Sequence, residues 1–206
     1  MKVFEIEPEK QILNQKEVHS TDIKLKTGNA LKNKRSRMRR IKWLKEVFPE
    51  AKSILCIGAR ADLEVQDFLS SGFEDAVGID VNKEQKFVKC IDAHELDEHF
   101  DENEFDLVYA SHSMEHMYDA KRVMRNIRKV SKLGCLFALP NGKNAITPCA
   151  DHPTIYEIML KCPKSQKELE NNLSLLDDFE SLGNFKLRKF HKNNEYADFE
   201  FVLEFV

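Results

Sequence analysis

The residues best placed to do chemistry sit at the ends of four short apolar runs. These are Ser53-Ile-Leu-Cys-Ile-Gly58, Ala76-Val-Gly-Ile-Asp80, Phe87-Val-Lys-Cys-Ile-Asp92-Ala93 and Phe105-Asp-Leu-Val-Tyr-Ala-Ser111. Gly58 lets the backbone approach a ligand closely. Asp80, about twenty residues after that turn, can accept both hydroxyls of a ribose, with Val81 beside it. Asp92 can accept from an adenine amino group while the Ala93 amide donates nearby. Each aspartate taken alone is equally well a strand-end turn residue. Behind strands and a glycine turn, they point together to a nucleotide-type pocket.

A second cluster follows the fourth run: Ser111-His112-Ser113-Met114-Glu115-His116. An imidazole titrates near neutrality, so His112 is the candidate general base; the competing reading is that it contacts a cofactor or caps the next helix. His112 and His116, four residues apart, could share a metal on a helix, but no third ligand is evident and no metal is expected. Asp151-His152-Pro153 either lines an acceptor pocket or is an exposed turn.

Elements that position these residues alternate between strand and helix patterns, which predicts a parallel sheet with crossover helices. Helices are expected at 37–48, with Met38, Ile41, Leu44 and Phe48 inward, at 61–71, with Val65, Phe68 and Leu69 inward, and at 118–131. Residues 134–139 read as a fifth strand. A helix near 173–182 precedes strands at 185–191 and 196–205, whose short connection requires antiparallel pairing. The expected fold is α/β: a Rossmann-like, seven-stranded, mostly parallel sheet with an antiparallel C-terminal hairpin and helices on both faces. Residues 1–206 form one domain in this reading. It comprises an N-terminal extension and basic helix (1–50), a cofactor-binding half (51–142) and a substrate-side segment (143–206). Residues 1–30 read as a polar extension or lid, broken at Gly28-Asn29.

The chain has 206 residues, 42% hydrophobic and 33% charged, with a net charge of −3. That balance gives no global reason for nucleic acid or anionic membrane as partner. No apolar run approaches the roughly 18 residues of a membrane span. Cys56, Cys90 and Cys135 fall in core strands and no CxxC spacing occurs, so a reduced, cytoplasmic setting is expected. The basic run from Lys32 to Lys42 is read first as a solvated helix face; the alternative, RNA or phosphate binding, is not favoured. Oligomeric state is open.

The stretch from Ile91-Asp-Ala-His-Glu-Leu96 to Glu104-Phe-Asp-Leu-Val-Tyr-Ala-Ser-His-Ser-Met-Glu-His116 resembles class I S-adenosylmethionine-dependent methyltransferases, in particular the type 11 group. In that family an acidic residue is followed by three alternating glycines. Cys56, Gly58, Arg60 and Asp62 stand at those positions, so one glycine remains. Gly58-Ala59-Arg60 with Glu64-Val65 is similar to a variant of the family; Asp62 departs even from the variant. The resemblance implies S-adenosylmethionine held by Gly58, Ala59, Arg60, Asp80, Val81, Asp92, Ala93 and Ser111. Arg60 either pairs with the cofactor's carboxylate or is a solvent-facing loop residue. The implied function is methyl transfer to an oxygen or nitrogen of a small-molecule acceptor. A degenerate partner-binding module and an RNA or protein methyltransferase remain as alternatives.

Overall fold

The computed structural model describes residues 1–3, 5–22, 27–82, 84–140, 153–193 and 198–206. In chain order the elements are β1 (Lys2–Val3), α1 (Pro8–Asp22), α2 (Thr27–Val47), β2 (Ser53–Ile57), α3 (Asp62–Ser70), β3 (Asp75–Asp80), β4 (Val88–Cys90), α4 (Leu96–His99), β5 (Phe105–Ser111), α5 (Ala120–Val130), β6 (Ser131–Pro140), β7 (Thr154–Ile155), α6 (Glu157–Lys161), α7 (Gln166–Asn171), β8 (Phe185–Asn193) and β9 (Asp198–Phe205). Seven strands form one sheet in the order β4-β3-β2-β5-β6-β9-β8. Pairings from β4 through β6 are parallel, while β9 runs antiparallel to both β6 and β8. The expected sheet and hairpin are therefore present. The connection at Asn194-Glu195, the turn at Asn141-Gly142, the pair Asp151-His152 and Cys149 lie outside the described residues.

Strand alternation divides the core between the two sheet faces. On one face, Leu55, Val108, Phe137 and Phe201 pack against α5 residues Val123, Ile127 and Val130. On the other, Ile54, Cys56, Tyr109 and Leu136 meet Ile41, Leu44 and Phe48 at the α2 end and Val65 and Phe68 of α3. Phe105 and Leu107 enter opposite cores despite their equal parity, and the β5–β6 register shifts between them.

Several expectations need correction. Residues 1–30 are not without regular structure: Lys2 and Val3 pair with Ile155 and Thr154, and α1 follows. Gly28 and Asn29 lie inside the first turn of α2 rather than breaking the chain. Ten residues of helix are thereby added before the expected 37–48. Met38 is exposed, and Leu69 is half-buried. Cys90 is exposed because β4 is an edge strand, whereas Cys56 and Cys135 are buried. Residues 173–182 wind as 3₁₀ turns instead of an α-helix.

The basic run is not simply a solvated face. Arg37 donates to Asp67 of α3 through Nε at 2.9 Å, and its Nη2 contacts the same carboxylate. Arg39 and Arg40 both reach Glu200 of β9. Lys34, Arg35 and Lys42 do face solvent.

Candidate functional site

The sheet order reverses between β2 and β5, the position where open α/β sheets bind ligands beyond their carboxyl ends. A cleft lies there, with about 580 Å³ of space when its open mouth is counted. Gly58, Arg60, Asp80, Val81, Asp92, Ala93 and His112 all line it, although they come from four different strand ends. Ala59 and Ser111 do not. Ala59 is fully buried and its amide, like that of Gly58, donates to the Ile79 carbonyl. The Ser111 hydroxyl accepts from Arg40 Nη1 at 2.8 Å, beneath the sheet.

The glycine turn works with a single glycine. Gly58 has φ of +72°, and a Cβ there would stand 2.6 Å from Ser113 Cβ, so both conformation and packing exclude a side chain. Arg60 and Asp62 adopt no positive φ; the path after Gly58 needs no further glycine. Asp62 Oδ1 accepts the Phe87 amide at 2.8 Å, and Gln85 Nε2 donates to the Arg60 carbonyl at 2.8 Å. These bonds lash the turn to the segment before β4. Because Asp62 and Glu64 fill the first turn of α3 with negative charge, that helix start offers little to an anion, and Arg60 is the cationic group at this end of the cleft.

Asp80 Oδ1 accepts the Asn82 amide at 2.9 Å and its side-chain Nδ2 at 2.6 Å. Asp92 caps the 3₁₀ turn Ala93–Glu95 through the His94 amide, and the same Oδ1 lies 2.6 Å from His94 Nδ1. Burial works to raise the Asp92 carboxyl, but the His94 hydrogen bonds outweigh it and hold it below the usual range.

His94 is the site residue that sequence reasoning missed. Its Nε2 accepts the Asp119 amide at 3.2 Å, which makes Nδ1 the protonated nitrogen facing Asp92. The ring stacks on Tyr118 at 3.6 Å between centroids, and both rings line the cleft. Burial and the Asp92 charge push the Tyr118 hydroxyl up to about 12, so it stays neutral. The Asp92-x-His94 spacing was the available signal; nothing in the sequence places Tyr118 against it.

His112 holds a left-handed conformation, φ 52°, uncommon for a side chain with a Cβ and worth a functional explanation. Its amide donates to the Ala138 carbonyl at 2.9 Å, pinning the loop to β6. The imidazole is 39% exposed, and its Nδ1 lies 3.5 Å from Glu115 Oε1. Glu115 is 1% exposed and its Oε2 has no hydrogen-bond partner. Burial opposes its charge, yet His112 and His116 prevail and keep the carboxyl below the usual range. No three-residue metal cluster occurs among the described residues, and among them no helix is long and apolar enough to cross a membrane.

Residues 55–139 match the family model described as a methyltransferase domain. No curated protein matches the chain. Among solved structures, the 1,6-didemethyltoxoflavin N1-methyltransferase of Burkholderia thailandensis, bound to that substrate and S-adenosylhomocysteine, superposes with a TM-score of 0.69 at 11% identity; the match covers 100% of this chain and 93% of that one. The magnesium protoporphyrin IX methyltransferase of Synechocystis PCC 6803, bound to S-adenosylmethionine, gives 0.54 at 9% identity, over 84% and 80%. The [4+2]-cyclase SpnF gives 0.54 at 16% identity, over 77% of this chain and 60% of that one. At these identities the superpositions speak for the fold, which hosts more than one chemistry. The family match covers residues 55–139, less than half of the chain, and the superpositions give the chain the fold found in S-adenosylmethionine-dependent methyltransferases.

Proposed function

We propose that the cleft binds S-adenosylmethionine along the strand ends and that His112 takes the proton from an oxygen or nitrogen of a small-molecule acceptor. The observation that carries this reading is the convergence of Gly58, Arg60, Asp80, Asp92 and His112 on one cleft at the switch point. The residues fit the cofactor's parts. Asp80 matches the ribose hydroxyls, Asp92 and Ala93 the adenine edge, and Arg60 the carboxylate, while the His94–Tyr118 stack stiffens the adenine end. Val81 borders the ribose position. Ala59 and Ser111 act at one remove: Ala59 holds the turn to β3, and Ser111 ties β5 to Arg40.

Bound S-adenosylmethionine supplies an electrophilic methyl group on a sulfonium sulfur. The protein's share is to align the acceptor and remove its proton. His112 receives that proton, and the Glu115 carboxylate beside Nδ1 stabilises the imidazolium so formed. A positioned base of this kind contributes typically about 10²–10⁴-fold. A small acceptor is favoured by the small-molecule ligand in the Burkholderia enzyme. The RNA reading rested on the basic run from Lys32 to Lys42, in which the guanidinium groups of Arg37, Arg39 and Arg40 are engaged by Asp67 and Glu200.

Calorimetric titration of S-adenosylhomocysteine into the wild type and Asp80→Ala tests the cofactor site. Micromolar binding that the variant loses supports it; a folded wild type that binds neither the cofactor nor its product overturns it. With an acceptor found by screening, His112→Ala should lower kcat about 10²-fold or more.

A further inference from the structure

Helix α1 lies outside the residues matched by the family, yet it forms one wall of the cleft through Gln11, Ile12 and Gln15. Gln11 and Gln15 are four apart and share a helix face. They are 2% and 6% exposed, whereas Leu13 is 60% exposed. Among the described α1 side chains, these two glutamines are the buried ones, with Ile12 half-buried between them in sequence. Both glutamines reach the same residue of the body: Gln11 Nε2 donates to the His116 carbonyl at 3.1 Å, and Gln15 Nε2 lies 3.2 Å from His116 Nδ1.

The Gln11 bond fixes which way its amide faces. A carbonyl acceptor at His116 requires the NH₂ end, so the opposite end presents Oε1. That oxygen is buried and has no hydrogen-bond partner. Leaving such an acceptor unsatisfied costs about 1–3 kcal/mol, and a buried polar atom of this kind calls for an explanation. Gln11 borders a cleft whose ligand carries hydroxyl and amino donors.

We infer that Gln11 is a cofactor-binding residue: its Oε1 accepts a hydrogen bond from an O–H or N–H of the bound cofactor, and α1 closes on the cofactor through that bond. This rests on the cofactor reading above and adds a contact from outside the strand ends. Since Oε1 is shielded from water, α1 must give way for the ligand to enter and then settle against it.

The test is calorimetry of S-adenosylhomocysteine with the wild type, Gln11→Leu and Leu13→Ala, supported by hydrogen exchange of the α1 amides. Gln11→Leu should weaken binding about 5- to 100-fold, Leu13→Ala should leave it unchanged, and ligand should slow α1 exchange in the wild type. 5′-Methylthioadenosine, which lacks the amino-acid portion, locates the donor. A Gln11→Leu penalty that persists with it places the donor on the nucleoside; a penalty that vanishes places it on the amino group. Should Gln11→Leu not fold, Gln11→Asn withdraws the oxygen by one methylene and replaces it. Equal affinity of wild type and variant overturns the Gln11 contact while leaving the cofactor site standing. No binding by folded wild type overturns both.

Discussion

Glu200 and Glu115 are both buried carboxylates, and they are treated in opposite ways. Glu200, on β9, is 0% exposed and meets two guanidinium groups: Arg39 Nη2 at 2.7 and 2.6 Å from its two oxygens, Arg40 Nε at 3.1 Å and Nη2 at 2.8 Å. Burial works to lower the Arg40 pKa, but Tyr109 and Glu200 more than offset it. Glu115, behind the cleft, has one oxygen near a half-exposed imidazole and the other unpartnered. A carboxylate that only supports structure can be saturated with fixed cations. One that must respond to a proton arriving on its neighbour needs a partner whose charge changes, and histidine is that partner.

Breaking the saturated side should have the largest effect. Glu200→Ala leaves two guanidinium groups without their carboxylate and should destabilise the fold by about 3–5 kcal/mol in urea unfolding. Glu200→Met combined with Arg40→Met should recover much of that loss, because a buried ion pair contributes little net stability beyond an apolar pair of similar volume. A double variant as unstable as Glu200→Ala would mean that the network does more than satisfy itself.

Glu115→Gln should sharpen the contrast by separating activity from stability. It should lower kcat about tenfold or more while costing only on the order of 1 kcal/mol at neutral pH. Its pH signature has a definite sign. The native Glu115 carboxyl titrates below its usual 4.5, so its contribution is present above that value and is lost as pH falls through the depressed one. Urea unfolding of Glu115→Gln between pH 3 and 7 should therefore show a shallower acid limb than the wild type. An unaltered limb with unaltered kcat would remove Glu115 from the mechanism. The smallest effect belongs to the surface: Arg188→Ala, which frees the partly exposed Glu204, should change stability by about 0–1 kcal/mol.

Strand ends were legible in the sequence because apolar runs and their closing residues are local. Gly58, Asp80, Asp92 and His112 could be placed on one sheet edge without coordinates. The Glu200 network was not legible, because period-two alternation says which face a residue takes but not what covers that face. Here α2 covers it, from about 160 residues away in sequence. For the same reason Arg39 and Arg40 read as a solvated basic run. Helix α1 escaped notice because its buried positions 11 and 15 are glutamines, and hydrophobic periodicity detects only apolar faces. The absence of two glycines of the family pattern pointed toward degeneracy, whereas the Phe87 amide donating to Asp62 and Gln85 donating to the Arg60 carbonyl hold the turn.

The place of β9 in the sheet has a consequence for the growing chain. It lies between β6 and β8, so on the ribosome β6 exposes an open, largely apolar edge until residues 198–205 have been made. At roughly 5–20 residues per second that interval is on the order of several seconds. During it an unpaired strand with the sequence Ser131-Lys-Leu-Gly-Cys-Leu-Phe-Ala-Leu-Pro140 is available to other chains. A stalled or shortened nascent chain would therefore be a substrate for chaperones before its sheet is complete.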